Sequence, residues 1–142
     1  MNLSNLKASQ TITITLKNPE TGELVLNDSD NTAMTIDVYS SHTKEYKKAE
    51  RESDKSEQYK LITKGKEAAE LTAEQLYLID DLRNQRLREL ITSILVSCNI
   101  DKTEKSKVKV DELKEILAQD DYAWILTQIQ EGASKGAVFI KA

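Results

Sequence analysis

The chain has little of what chemistry on small molecules requires. Its 142 residues include one histidine, one cysteine, one proline, four glycines, five tyrosines, one tryptophan and one phenylalanine. A lone cysteine, Cys98, excludes an intramolecular disulfide and a self-contained thiolate metal cluster, and fits a reducing compartment. Four scattered glycines leave no glycine-rich loop to cradle a phosphate. No run of about 18 apolar residues is present to span a bilayer. The first residues, Met1–Gln10, lack the basic start and apolar stretch of a secretory signal, which predicts a protein of the cytoplasm. A net charge of −4 and a pI near 5.1 argue against capture of nucleic acid through its phosphates.

What is present suits one modest fold. Apolar residues make up 39% and charged residues 31%, enough to bury a core inside a well-solvated exterior. The length fits a single domain over 1–142, with a β-rich head at 1–41 and a helical body at 42–142. The expected class is α+β: a small N-terminal antiparallel sheet, made of a hairpin and a third strand, followed by about four helices.

The strand evidence is a two-residue alternation. Ile12, Ile14 and Leu16 alternate with threonines over Thr11–Leu16. Pro19 and Gly22 mark a turn before Leu24–Leu26, and Met34, Ile36 and Val38 alternate with polar residues up to Tyr39. From Ser41 the period lengthens. Ser40 or Ser41 is placed to cap a helix over about 43–60 that is charged nearly all round, with only Tyr46, Ala49, Tyr59 and Ile62 as apolar contacts. A break is expected at Thr63-Lys64-Gly65. Thr72 with Gln75 three residues on makes a capping box, flanked by Leu71 and Leu76 at the positions of a hydrophobic staple. The stripe Leu76, Ile79, Leu82, Leu87, Leu90, Ile91, Ile94, Leu95 and Cys98 predicts one long helix. Residues 99–109 read as a lysine-rich connector. A shorter helix at Asp111–Gln119 turns Leu113, Ile116 and Leu117 inward, and a last helix starts near Asp120, whose carboxylate is placed to cap it.

Candidate chemical sites reduce to structural readings. His42, beside Ser40, Ser41 and Asp37, lacks the spacing of a catalytic triad and reads as a surface histidine at a helix start. Cys98 falls on the apolar stripe and reads as a small buried hydrophobe. Asp28-Ser29-Asp30-Asn31 begins like a calcium loop, but Ala33 stands at the sixth position where glycine belongs, and Tyr39 at the twelfth instead of glutamate. Lys102, Lys105, Lys107 and Lys109 are interrupted by Asp101 and Glu104 and lack interleaved aromatics for stacking bases, so they read as a solvated loop. Catalytic, cofactor and metal residues are therefore assigned to none. The densest aromatic and apolar set is Tyr122, Trp124, Ile125, Ile129 and Phe139, read as core packing of the last helix with Trp124 off its main stripe as a surface anchor. With Tyr46 and Tyr59 of the charged helix, these residues are the candidates for binding a partner protein.

The order of these elements resembles the small tail assembly chaperones of long-tailed bacteriophages. The likeness runs through Leu16-Lys17-Asn18-Pro19-Glu20-Thr21-Gly22-Glu23 between two strands, then Ile36-Asp37-Val38-Tyr39-Ser40-Ser41 leading to Glu45-Tyr46. It continues in Glu112-Leu113-Lys114-Glu115-Ile116-Leu117, Tyr122–Ile129 and Val138-Phe139-Ile140. Many relatives have a glycine ending the third strand and Gly-Trp after the long helix, where this chain has Ser40 and Cys98-Asn99. The resemblance implies a non-enzymatic role without cofactors in the host bacterial cytoplasm. Such a protein would coat the tape-measure protein, keep its hydrophobic helices soluble and leave before the virion is complete. The tail tube protein and self-association are further options for partners, and nucleic acid and membrane are not. A tail or connector protein retained in the virion is the alternative, and a small nucleic-acid-binding regulator a third.

Overall fold

A computed structural model describes residues 10–103 and 106–134. It is an α+β fold in which a three-stranded antiparallel sheet carries a body of helices. Strand β1 (Thr11–Thr15) pairs with β2 (Thr35–Tyr39), and β2 pairs in turn with β3 (Leu95–Cys98), giving the order β1-β2-β3. The chain then forms α1 (Lys44–Glu52), α2 (Ser56–Thr63), a 3-10 turn (Ala68–Glu70) and α3 (Ala73–Ile94) before β3. A two-stranded hairpin, β4 (Asp101–Thr103) with β5 (Ser106–Lys107), leads to α4 (Val110–Leu117), a second 3-10 turn (Asp120–Tyr122) and α5 (Ala123–Ser134).

The expected third strand is in place as β2, and the sheet departs from expectation in the second strand of the hairpin. Leu24 and Leu26 make only isolated bridges, to Lys17 and Ala33, and the sheet's remaining strand comes from the far end of the long helix. The apolar stripe of α3 runs on unbroken in sequence, but the helix ends at Ile94 and Leu95 turns to extended backbone, φ −66° and ψ 131°. Extended backbone there lets Leu95–Cys98 satisfy the open edge of β2, a gain that local helical preference cannot match. The pairing slips between Asp37 and Val38, where the register passes from Ser97 to Leu95 and leaves Val96 as the extra residue of a bulge. Cys98 is thus a strand residue.

Alternation sorts the faces of the sheet. Ile14, Leu16, Ile36 and Val38 are buried against Leu90, Ile91 and Ile94 of α3, Leu113 and Leu117 of α4, and Ile125, Leu126 and Ile129 of α5. Each such side chain contributes about 1.5–3 kcal/mol on burial. On the outer face, the Asp37 carboxylate accepts the hydroxyls of Thr13 (2.6 Å) and Ser97 (2.7 Å), tying all three strands together on the wet side.

The charged helix is two helices. Ser53 closes α1, its N–H donating to Ala49 and its hydroxyl to Glu50. Asp54 then accepts the Ser56 N–H at 2.9 Å and starts α2, a bond that lowers the Asp54 pKa below the usual carboxylate value. The N-cap of α1 is Thr43, whose Oγ1 accepts the Tyr46 N–H, in place of the serines before it. The break after α2 is where it was expected: Lys64 and Gly65 both take positive φ, 52° and 77°.

Candidate functional site

The capping box of α3 forms as its sequence requires. Thr72 Oγ1 accepts the Gln75 N–H at 3.1 Å, and the Gln75 Oε1 accepts the Thr72 N–H at 2.9 Å. The Gln75 amide also donates to the Ile62 carbonyl at 2.9 Å, which pins the end of α2 to the start of α3. At the other end of α2, Lys55 pairs with Glu89 of α3 at 2.5 Å. These two ties make α2 and α3 a helical hairpin.

That hairpin lacks cover. The α3 residues packed into the main core lie in its second half, from Leu87 onward, while its first turns are flanked by α2. Leu76, Tyr77 and Leu78 are consecutive, so at about 100° per residue they spread over most of the helix circumference and one neighbour cannot cover them all. All three are exposed, Tyr77 at 72%, and on α2 Leu61 is 75% exposed with Tyr59 exposed nearby in sequence. Five of the large apolar side chains that remain in water therefore belong to this one hairpin. Between its helices lies a groove of about 250 Å³ with Tyr59, Ile79 and Leu82 as apolar lining and Asp54, Lys55, Arg83 and Arg86 as polar lining. An apolar floor with a charged rim is the surface chemistry that accepts an amphipathic helix.

The sequence candidates divide sharply. Tyr59 lines this groove. Tyr46 is 8% exposed and packs in the core beneath α1, and Ile125 and Ile129 are buried core residues of α5, so none of these three is available to a partner. Their helices pack tightly on α3 and on the sheet, which is why apolar residues at these positions face inward. Trp124 is half-buried against the same core, and Tyr122 is 38% exposed in the 3-10 turn, not directed inward with the stripe of α5. Phe139, with the rest of the Val138–Ile140 tail, lies outside the described residues. Leu61 and Tyr77 were missed as candidates. The signal for Tyr77 was present in Leu76-Tyr77-Leu78, an apolar run too wide for a single helical stripe.

The groups with chemical potential make contacts within the fold. Ser40 Oγ lies 2.8 Å from His42 Nδ1, while Asp37 is engaged by Thr13 and Ser97. Cys98 donates its thiol to the Val108 carbonyl at 3.3 Å, and burial raises its pKa, which opposes thiolate chemistry. The loop at Asp28–Asn31 receives the β4–β5 hairpin: Asp101 accepts the backbone N–H and the hydroxyl of Ser29, each at 2.9 Å, and Lys107 bridges Asp101 and Asp30. Lys102 pairs with Glu112 at 2.8 Å. The lysine-rich connector is thus a folded hairpin whose cations at 102 and 107 are already matched by carboxylates. Asp120 pairs with Arg88 of α3, and the Gln119 position before it makes no side-chain cap. Among the described residues no group of three or more His, Cys, Asp or Glu is placed to hold a metal ion, and no helix is long and apolar enough to cross a membrane.

Comparison with family models, with curated proteins and with solved structures found no match to the chain.

Proposed function

We propose that the chain is a non-enzymatic assembly chaperone that holds an amphipathic helix of a partner protein on the α2–α3 hairpin. The observation that carries this reading is that Tyr59, Leu61, Leu76, Tyr77 and Leu78, all on this one hairpin, are left in water on an otherwise charged molecule, with an apolar groove between the two helices. A protein that gains nothing from such a patch would be expected to bear charge there.

The resemblance to tail assembly chaperones of long-tailed phages names the partner: the tape-measure protein, whose long helices would otherwise aggregate in the host cytoplasm. Docking would cover the partner's apolar stripe with the groove and with Leu61 and Tyr77 of the same hairpin, while Arg83 and Arg86 meet acidic residues beside that stripe. The test is co-purification of the chain with the tape-measure protein, followed by mass spectrometry of mature virions. A chaperone is recovered in the complex and missing from the virion, whereas a structural tail or connector protein is a stoichiometric virion component. A nucleic-acid regulator is disfavoured by the ion pairs of Lys102 and Lys107 with Glu112, Asp101 and Asp30.

A further inference from the structure

We propose that the trough between α3 and α5 is a second docking surface, and that it takes a basic amphipathic helix of a partner protein. The inference stands on a different groove from the one between α2 and α3 and does not rest on that reading. It begins from spacing along α3. Tyr77, Asp80, Asp81, Asn84, Leu87 and Arg88 recur at steps of three or four residues, so at about 100° per residue they share one stripe of the helix. Ile79, Leu82, Arg83 and Arg86, which face the groove toward α2, make up another.

The first stripe is one wall of a groove of about 400 Å³, and α5 supplies the other with Ala123, Leu126 and Thr127. Leu87 and Leu126 give it an apolar lining continuous with the main core, and Tyr77, largely in water, lines it near the start of α3. From Tyr77 to Arg88 the helix rises about 16 Å at about 1.5 Å per residue, room for about three turns of a third helix laid alongside.

Charge decides the occupant. The groove holds three carboxylates to one guanidinium, and that guanidinium, Arg88, is already matched by Asp120. Asp81 accepts the Gln85 amide at 3.0 Å, and neither it nor Asp80 has a cationic partner among the described residues. The excess is negative, opposite in sign to Arg83 and Arg86 on the α2 side. A helix that lays an apolar stripe over Tyr77, Leu87 and Leu126 therefore gains by carrying lysine or arginine beside that stripe, and an acidic helix is repelled.

The test is fluorescence anisotropy of the full chain with a labelled leucine/lysine amphipathic peptide of about four helical turns, circular dichroism confirming that each variant is folded. Asp80→Lys with Asp81→Lys reverses the charge, and Thr127→Trp fills the groove without changing it; each is expected to weaken binding about tenfold or more. Glu20→Lys with Glu23→Lys alters the net charge equally in the turn after β1, and Leu61→Glu disables the α2–α3 surface; both are expected to leave binding within about twofold. No binding of the peptide up to about 1 mM, insensitivity to Thr127→Trp, or an equal loss with Glu20→Lys/Glu23→Lys or with Leu61→Glu would overturn the proposal. Loss of the α2–α3 reading alone would leave all of these expectations standing.

Discussion

The Gln128 side-chain amide meets the backbone of Lys17 as a neighbouring strand would: its Oε1 accepts the Lys17 N–H at 3.0 Å and its Nε2 donates to the Lys17 C=O at 2.7 Å. One side chain of α5 thereby finishes the pairing of the chain that leaves β1. Gln128→Ala is expected to destabilise the fold by about 1–2 kcal/mol in urea unfolding, because both backbone groups lose their partner. Gln128→Glu is expected to be no better, since it keeps the acceptor and loses the donor.

Gly132 holds the same helix close to the sheet. A Cβ at this position would lie 2.1 Å from Cδ1 of Ile14, a residue buried in the core. Gly132→Ala is expected to destabilise by about 1–2 kcal/mol, because overpacking outweighs the gain in helix propensity. Ile14→Val removes the clashing methyl, so in a double-mutant cycle the combined variant is expected to be more stable than the sum of the single effects.

Asn27 is fully buried between the loop and the β4–β5 hairpin. Its amide donates to the Asn99 carbonyl at 2.9 Å and to Thr32 Oγ1 at 3.2 Å, and its Oδ1 accepts the Asp101 N–H at 2.9 Å. Asn27→Ala strands buried polar groups, and thermal or urea unfolding is expected to show a loss of about 2–4 kcal/mol.

Asp101 makes the same junction sensitive to acid. Hydrogen bonds from the Ser29 N–H and from Lys107 lower its pKa from 3.8 to about 2. A carboxylate depressed in the folded state contributes stability above its unfolded pKa and loses it as pH falls through the folded one. The window lies between about pH 4 and pH 2. Wild type should lose stability across it, and Asp101→Asn, already weaker at neutral pH, should show a shallower slope there in urea unfolding.

Local signals carried the parts of the fold that local chemistry decides. The alternation of β1 and β2, the Thr72–Gln75 capping box and the break at Gly65 are all determined by residues within a few positions, and all stand where the sequence put them. Where distant pairing decides, the reading failed. Leu95 to Cys98 continue the helical period of Ile91 and Ile94, and only the free edge of β2, nearly 60 residues earlier, makes them a strand. The side chain of Asn99 supports that choice, accepting from Thr35 N–H at 2.7 Å and donating to the Ala33 carbonyl at 2.9 Å. The lysines at 102 and 107 looked solvated because their carboxylate partners are distant in sequence or hidden in a loop. The exposed surface was partly legible: Tyr59 lies in the open at the groove, whereas Tyr46, Ile125 and Ile129 are drawn inward by packing that no local pattern specifies.

Leu61 and Tyr77 test whether the α2–α3 hairpin is a working surface. Both are more than two-thirds in water, so Leu61→Glu with Tyr77→Glu is expected to change unfolding stability by no more than about 0.5 kcal/mol. The decisive measurement is the soluble fraction of the tape-measure protein co-expressed with wild type or with this double variant. The account predicts a soluble partner with wild type and an aggregated one with the folded double variant. Equal solubility with both chains would contradict it.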